Sequence, residues 1–286
     1  MPVVVVTDSS ASVDRSLAAE LGLRVVPLHV LVGDAQLDEG VDEMPAELTA
    51  KSITTSAASP GELHAAYTAA LAESGGDGVV AVHISRSLSA TWNAATTAAE
   101  EFDGGVRVVD SCSAGLGTGF AALAAARAVR AGGDIEDAYQ AAVSVAARSR
   151  CFIAVDKLDA LRRGGRISTT TALLGTALVT KPLLHVVDGK LALKEKVRTS
   201  SKALRKLVDA AVAAADGSAA AIAVQHFGAA DRAAQVVAEL RERVPQMAEL
   251  IEAELVPTLA IHVGSGAVGV VVVPGGLTTH AGSPPA

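Results

Sequence analysis

Short apolar runs that end in polar loops, each followed by a stretch of helical length, recur through the first half of this chain. Val3 to Val6 reads as a buried strand that gives way to Thr7-Asp8-Ser9-Ser10. A helix is expected from Ser12 to Leu21, capped by Asp8, Ser9 or Ser12. Arg24 to Val32 alternates as a second strand, and the acidic stretch Gly33 to Glu43 reads as an exposed loop or hairpin. Pro60 suits the first turn of a helix continuing over Glu62 to Glu73. Gly78 to Ile84 and Val106 to Asp110 are predicted strands on either side of a helix from Leu88 to Glu101. Helices over Gly119 to Arg130 and Asp134 to Arg148 follow. Strands and helices alternating at this length predict a parallel sheet covered on both faces.

Beyond Cys151 the rhythm changes. Phe152 to Val155 is a short strand, and Lys157 to Arg163 a short helix stopped by Gly164-Gly165. Asp188-Gly189 is a hairpin signal between the predicted strands Leu178 to Val187 and Lys190 to Val197. Helix Ser200 to Ala215, strand Ala220 to Gln225, helix Ala229 to Arg243, strand Glu249 to Val256 and strand Gly269 to Val273 complete the pattern. The expected organisation is an α/β domain with a parallel sheet over residues 1–152 and a mixed α+β domain over 153–274. A Gly/Pro/Ser/Thr-rich tail over 275–286 is expected to be disordered.

Half of the 286 residues are apolar and only 2% are aromatic, alanine being the commonest. Such a chain can pack helices closely, or line a smooth aliphatic cavity; composition leaves both open. The net charge of −7 comes without a basic block, against the clustered positive face that nucleic acid requires. Cys112 and Cys151 form no CxxC, and are expected as small buried residues in a reducing cytoplasm. MPVVVVTDSS has too short an apolar run for a signal peptide, and no stretch is long enough to span a membrane.

Five polar stretches carry the chemistry: TDSS (Thr7 to Ser10), TTSAASPGEL (Thr54 to Leu63), HISRSLSATWNAA (His83 to Ala95), LRRGGRIS (Leu161 to Ser168) and HVGSG (His262 to Gly266). The first three place hydroxyls and unpaired backbone N–H groups at junctions leading into helices, where anions bind. Helix capping accounts for one serine near Leu88, but Ser85, Ser87, Ser89 and Thr91 are four hydroxyls within seven residues. Thr55 and Ser56 fall in a loop that can turn toward the carboxyl ends of the strands, where ligands of doubly wound sheets sit.

Other chemistries fit less well. Gly117, Gly119 and Ala122 match GxGxxA, but Ser111 to Leu116 separate them from the preceding strand, and the position of the ribose-binding acid falls where a helix begins. No GxSxG nucleophile elbow occurs. His29, His64 and His185 have no companion at metal spacing, so no metal or cofactor is expected. His262 stands apart because the glycines after it expose the backbone.

In order along the chain, these stretches resemble the DegV family of bacterial fatty-acid-binding proteins, some of which serve as the FakB subunit of fatty acid kinase. TSAASPGE is similar to the family's TSQPSPGE. ISRSLSATWNAA resembles ISSxLSGTYQSA, with Ala90 where glycine is usual. VVDSCSAGLGTG, LDALRRGGRIS and VRTSSKAL match nearly as they stand, and HVGSGAVG resembles HxGPGxxG with Ser265 in place of proline.

The resemblance implies a two-domain fold enclosing one long-chain fatty acid between its halves. By position, Thr55, Ser56 and Ser89 would hold the carboxylate, helped by the N–H of Ala90, with His262 in a loop closing beside the headgroup. Arg166 and Arg198 match positions facing the kinase. The function so implied is a non-catalytic carrier that presents the carboxylate to a separate ATP-dependent kinase for acyl phosphate formation in phospholipid synthesis, with transient contact at a membrane surface. The alternatives are a phosphotransferase or hydrolase using His262 and a loop serine, and a regulatory sensor of lipid state. About fifteen buried methylenes at about 0.8 kcal/mol each give on the order of 12 kcal/mol gross. Each hydroxyl contact to a carboxylate gives at most about 1.5–3 kcal/mol. The tail therefore supplies affinity and the headgroup site supplies orientation.

Overall fold

In a computed structural model, which describes residues 2–167 and 180–277, the alternation becomes a layered α/β molecule. Four strands, β1 (Val4–Asp8), β2 (Arg24–Val26), β6 (Val79–His83) and β7 (Val106–Asp110), form a parallel sheet in the order β2-β1-β6-β7. Alternate residues of β1 point to opposite faces. Val4 and Val6 pack with α2 (Pro60–Glu73) and α3 (Thr91–Ala99). Val5 packs with α1 (Arg15–Leu21), α4 (Leu116–Arg130) and α5 (Ile135–Arg148).

A second, six-stranded sheet follows. It comprises β8 (Arg150–Ala154), β9 (Lys181–Val187), β10 (Lys190–Val197), β11 (Ala220–Phe227), β12 (Glu249–Glu254) and β13 (Ala267–Pro274). Their order is β10-β9-β8-β13-β11-β12, antiparallel except for the β11–β12 pair. Val270 and Val272 face α7 (Ser200–Ala215) and α8 (Ala230–Arg243), whereas Val271 and Val273 face back toward α4 and α5. These two helices thus lie between the sheets. Every residue of α4 from Leu116 to Ala126 is buried, as a helix enclosed on all sides requires, and its alanines let both sheets approach. Strand β8, which the division at 152/153 cuts, pairs along its length within the second sheet.

Several expectations shift for local reasons. Arg24 to Val32 is two strands: Pro27, which lacks an N–H, separates β2 from β3 (His29–Val32), and β3 joins β4 (Ala35–Asp38) and β5 (Ile53–Ser56) in a small antiparallel sheet. The first helix starts at Arg15 under an Asp14 cap, while Asp8 caps the 3-10 turn Ser9–Ala11. Ser59 and Glu62 form a reciprocal capping box on α2. At the β9–β10 turn both Asp188 (φ 49°) and Gly189 (φ 74°) are left-handed, as a tight hairpin of this kind needs. Cys112 is exposed, contrary to the expectation of burial, and Cys151 borders a cavity.

Ser168, residues 178 and 179 of the predicted strand, and positions 278–286 of the predicted tail lie outside the described residues. The start of that tail is held in place: Arg148 donates to the Gly276 carbonyl at 3.1 Å, and Leu277 is buried in the α4–α5 core. Among the described residues, no helix is long and apolar enough to cross a membrane.

Candidate functional site

In the parallel sheet the chain leaves β1 toward β2 on one side and later returns to β6 on the other. The crevice beyond the carboxyl ends of β1 and β6 is therefore the topological switch point, where open α/β sheets bind ligands. A cavity lies there. Its roof includes Ser10 after β1, and Ile84, Leu88 and Ser89 after β6. Its floor is one face of the second sheet, on which Ile153 of β8, Gly269 of β13 and Gln225 of β11 stand in register side by side.

Asp8 builds this junction. Buried completely, it accepts from Ile84 N (3.0 Å) and Ser10 N (3.1 Å), and it pairs with His83 Nδ1 at 2.9 Å. The other ring nitrogen of His83 meets the Tyr67 hydroxyl at 2.8 Å, and burial raises the Tyr67 pKa. Thr7 donates to the Val82 carbonyl at 2.8 Å, and Ser9 Oγ accepts from Leu28 N at 2.9 Å. TDSS is thus mainly a clamp between strand ends. Only Ser10 among its hydroxyl residues reaches the cavity wall.

Thr55, Ser56, Ser89 and His262 all border this one cavity. Thr55 and Ser56 sit on β5, paired with Val30 and His29, and not in a loop. The side chain of Ser56 makes no hydrogen bond among the described residues. Helix α3 begins at Thr91, three residues later than expected, so Ser89 precedes it. Its Oγ accepts from Thr91 N (3.3 Å) and shares a 2.9 Å bond with Thr91 Oγ1. Ala90 is exposed and lies off the cavity wall, at the N-terminus of α3.

His262 is on a helix, α9 (Pro257–Val263), that the sequence reading missed. Pro257 at its first turn was the available signal. The buried carboxylate of Glu39, at the end of the β3–β4 hairpin, anchors α9 by accepting from Thr258 N (2.6 Å) and Thr258 Oγ1 (2.9 Å). Burial raises the Glu39 pKa. One turn on, His262 Nε2 and Thr55 Oγ1 are 2.9 Å apart. The ring is largely buried, and Arg166 adds a like charge, so the His262 pKa is pushed down to about 4. The imidazole is neutral near pH 7.

The site also explains the double glycine of LRRGGRIS, which closes α6 (Asp159–Arg163). Gly165 has φ 70° and makes the turn. Gly164 is constrained by space: a Cβ there would lie 2.3 Å from His262 Nδ1. The turn brings Arg166 to the cavity, where Nε donates to the Leu88 carbonyl at 3.0 Å and a terminal nitrogen bonds the Gly164 carbonyl. Among the described lining residues Arg166 is the single charged one. The family resemblance has Arg166 facing the kinase; here the side chain is half-buried and borders the cavity. Arg198, by contrast, is exposed and makes no ion pair among the described residues.

A family model described as "uncharacterised protein, DegV family" matches residues 2–275. The chain belongs to the DegV family. A DegV domain-containing protein of Mycobacterium tuberculosis is 48% identical over 272 residues, covering 95% of this chain and 97% of that one. Among solved structures, a DegV family protein of Corynebacterium glutamicum superposes with a TM-score of 0.86 at 39% identity, over 96% of this chain and 98% of its own. A DegV family protein of Thermus thermophilus, described for its fatty acid binding, superposes at 0.89 with 32% identity, over 96% of this chain and all of its own. Where this DegV chain has Ala90 in place of the usual glycine, φ is −73°, which alanine adopts freely.

Proposed function

We propose that this protein is a carrier that encloses a long-chain fatty acid in the cavity and presents its carboxylate to a separate ATP-dependent kinase. The observation that carries the reading is the composition of one wall. Thr55, Ser56, Ser89, His262 and Arg166 meet at a cavity otherwise lined mostly by aliphatic side chains. Ser89 Oγ accepts from Thr91 N, and with Thr91 Oγ1 as the donor in the bond the two hydroxyls share, the Ser89 proton is left for a carboxylate. With the neutral His262 donating from Nε2 to Thr55 Oγ1, the Thr55 hydroxyl likewise donates into the cavity. Arg166, kept in place by two carbonyls, supplies the positive charge. Ala90 lies off the cavity wall, so its backbone N–H is not among the donors to the carboxylate. The fatty acid binding described for the Thermus protein supports the same assignment.

A hydrolase or phosphotransferase reading draws less support. A histidine with its pKa near 4 is a weak general base at neutral pH. Its Nδ1 faces Gly164 and no carboxylate. Kinase docking falls to the exposed Arg198, since Arg166 is engaged at the cavity.

Two measurements test the proposal. Denaturing the purified protein and analysing the released material by mass spectrometry is expected to yield fatty acid. Finding none, with no uptake of added oleate or palmitate, defeats the carrier reading. Arg198→Ala is expected to bind fatty acid normally but to lower kinase-coupled acyl phosphate formation; unchanged coupled turnover refutes the docking role alone.

A further inference from the structure

The β9–β10 hairpin overhangs its own sheet. Among the described residues, β9 pairs with β8 no further toward the hairpin tip than His185, whereas β8 runs on beside β13 through Cys151 and Arg150. Beyond His185 the hairpin is a two-stranded ribbon at the sheet edge, an arrangement of marginal stability by itself. Its cross-strand pair Val186 and Leu191 lines the cavity, as does Cys151 at the fork where β9 leaves β8. The tip reaches across to the parallel sheet. There the Gly189 carbonyl accepts from Ser85 Oγ, after β6, at 2.8 Å. Gly189 is buried although Asp188 and Lys190 on either side are exposed. A Cβ on it would lie 2.4 Å from Ser85 Oγ and 3.6 Å from Cys112 Cα, after β7. At its other end the ribbon is rooted: Val197 packs with α7, and Lys206 of that helix pairs with Glu195 at 3.4 Å. Between root and tip the register shifts at Leu193/Glu195, and a bulge of this kind is where a ribbon bends.

We propose that this ribbon is the door of the cavity: it swings out from the Leu193/Glu195 bulge when the Ser85 contact breaks, and the acyl chain enters and leaves between β8 and β9. The inference rests on the fatty-acid reading of the same cavity and adds the route into it. The tip is held by a single neutral hydrogen bond, so the closed position is easily left. Closing returns Val186 and Leu191 to the aliphatic lining, and burial of apolar surface against a bound chain favours the closed position. None of Thr55, Ser56, Ser89, Arg166 and His262 lies on the ribbon, so the carboxylate site does not travel with the door.

The test locks the door. A Cβ built at Gly189 is 3.5 Å from the Ser85 Cβ, within the span of a disulfide. Ser85→Cys with Gly189→Cys therefore sets a reversible cross-link over the contact, in a Cys112→Ser background that removes the nearby thiol. Release of bound oleate to excess albumin is followed in the oxidised and the reduced protein. The expected result is release slower by about tenfold or more when oxidised, recovered on adding dithiothreitol. The strain of a side chain at the left-handed Gly189 position is common to both forms and cancels. Equal rates in the two forms overturn the proposal. So does a pair that will not oxidise, which denies that the tip rests on Ser85. Ser85→Ala, without a cross-link, is expected to raise entry and release together by about fivefold while affinity stays within about twofold. Rates unchanged from wild type overturn the proposal as well. A wild-type protein that takes up no oleate counts instead against the fatty-acid reading.

Discussion

His262 offers a direct test of the headgroup geometry, because its neutrality is imposed by the fold. Burial and the nearby Arg166 hold its pKa at about 4, against 6.5 for an unperturbed histidine. Between these values the unfolded chain binds a proton that the folded chain refuses. Stability is therefore complete above pH 6.5 and falls as the pH drops toward 4. At about 1.36 kcal/mol per pH unit the full gap amounts to about 3 kcal/mol, and about 2 kcal/mol of it is expressed between pH 7.5 and 4.5, allowing for the partly exposed ring. Glu39, whose pKa burial raises, acts in the opposite sense. Comparison with His262→Gln cancels what the two proteins share, since glutamine keeps a donor toward Thr55 and has no proton to gain. Urea unfolding of ligand-free protein at the two pH values is the assay. Wild type is expected to lose about 2 kcal/mol more than the variant on acidification. Parallel losses would refute the claim that His262 is held neutral in this site.

Further predictions concern the parts that position this residue. Gly164→Ala drives a Cβ into the imidazole and is expected to cost about 1–3 kcal/mol by thermal or urea unfolding. In a His262→Ala background that cost should at least halve; equal costs in both backgrounds would deny the contact. Thr258→Val removes one of the two donors to the buried Glu39 carboxylate and is expected to cost about 1–3 kcal/mol, with a loss below about 0.5 kcal/mol counting against the anchor. Ser89→Ala is expected to weaken fatty acid binding by about five- to fifteenfold in titration calorimetry while leaving the unfolding midpoint nearly unchanged. Undiminished affinity removes Ser89 from the headgroup site.

Much of the architecture was legible locally. Runs such as Val79 to His83 and caps such as Ser59 with Glu62 act within a few residues, and the positive φ of Asp188-Gly189 belongs to the turn itself. These fixed the parallel sheet, the second mixed sheet and most of the hydroxyls at the strand ends. The family motifs carried Thr55, Ser56, Ser89 and His262 to one place, and all four border the same cavity. Helix α9 was harder to read, since its seven residues present little periodicity and its N-terminus is tied down by Glu39, distant in sequence.

The direction in which a side chain points was decided by tertiary packing alone. Arg166 reads as a surface charge until the Gly164-Gly165 turn sets it against the Leu88 carbonyl, 78 positions away. The same holds for Gln225, an ordinary strand residue in sequence, whose amide is oriented by Leu116, 109 positions away. Short-range signals specify elements because backbone hydrogen bonds and caps are local. What an inward-facing polar group can grip depends on partners that only the assembled layers bring near, and no window along the chain contains them.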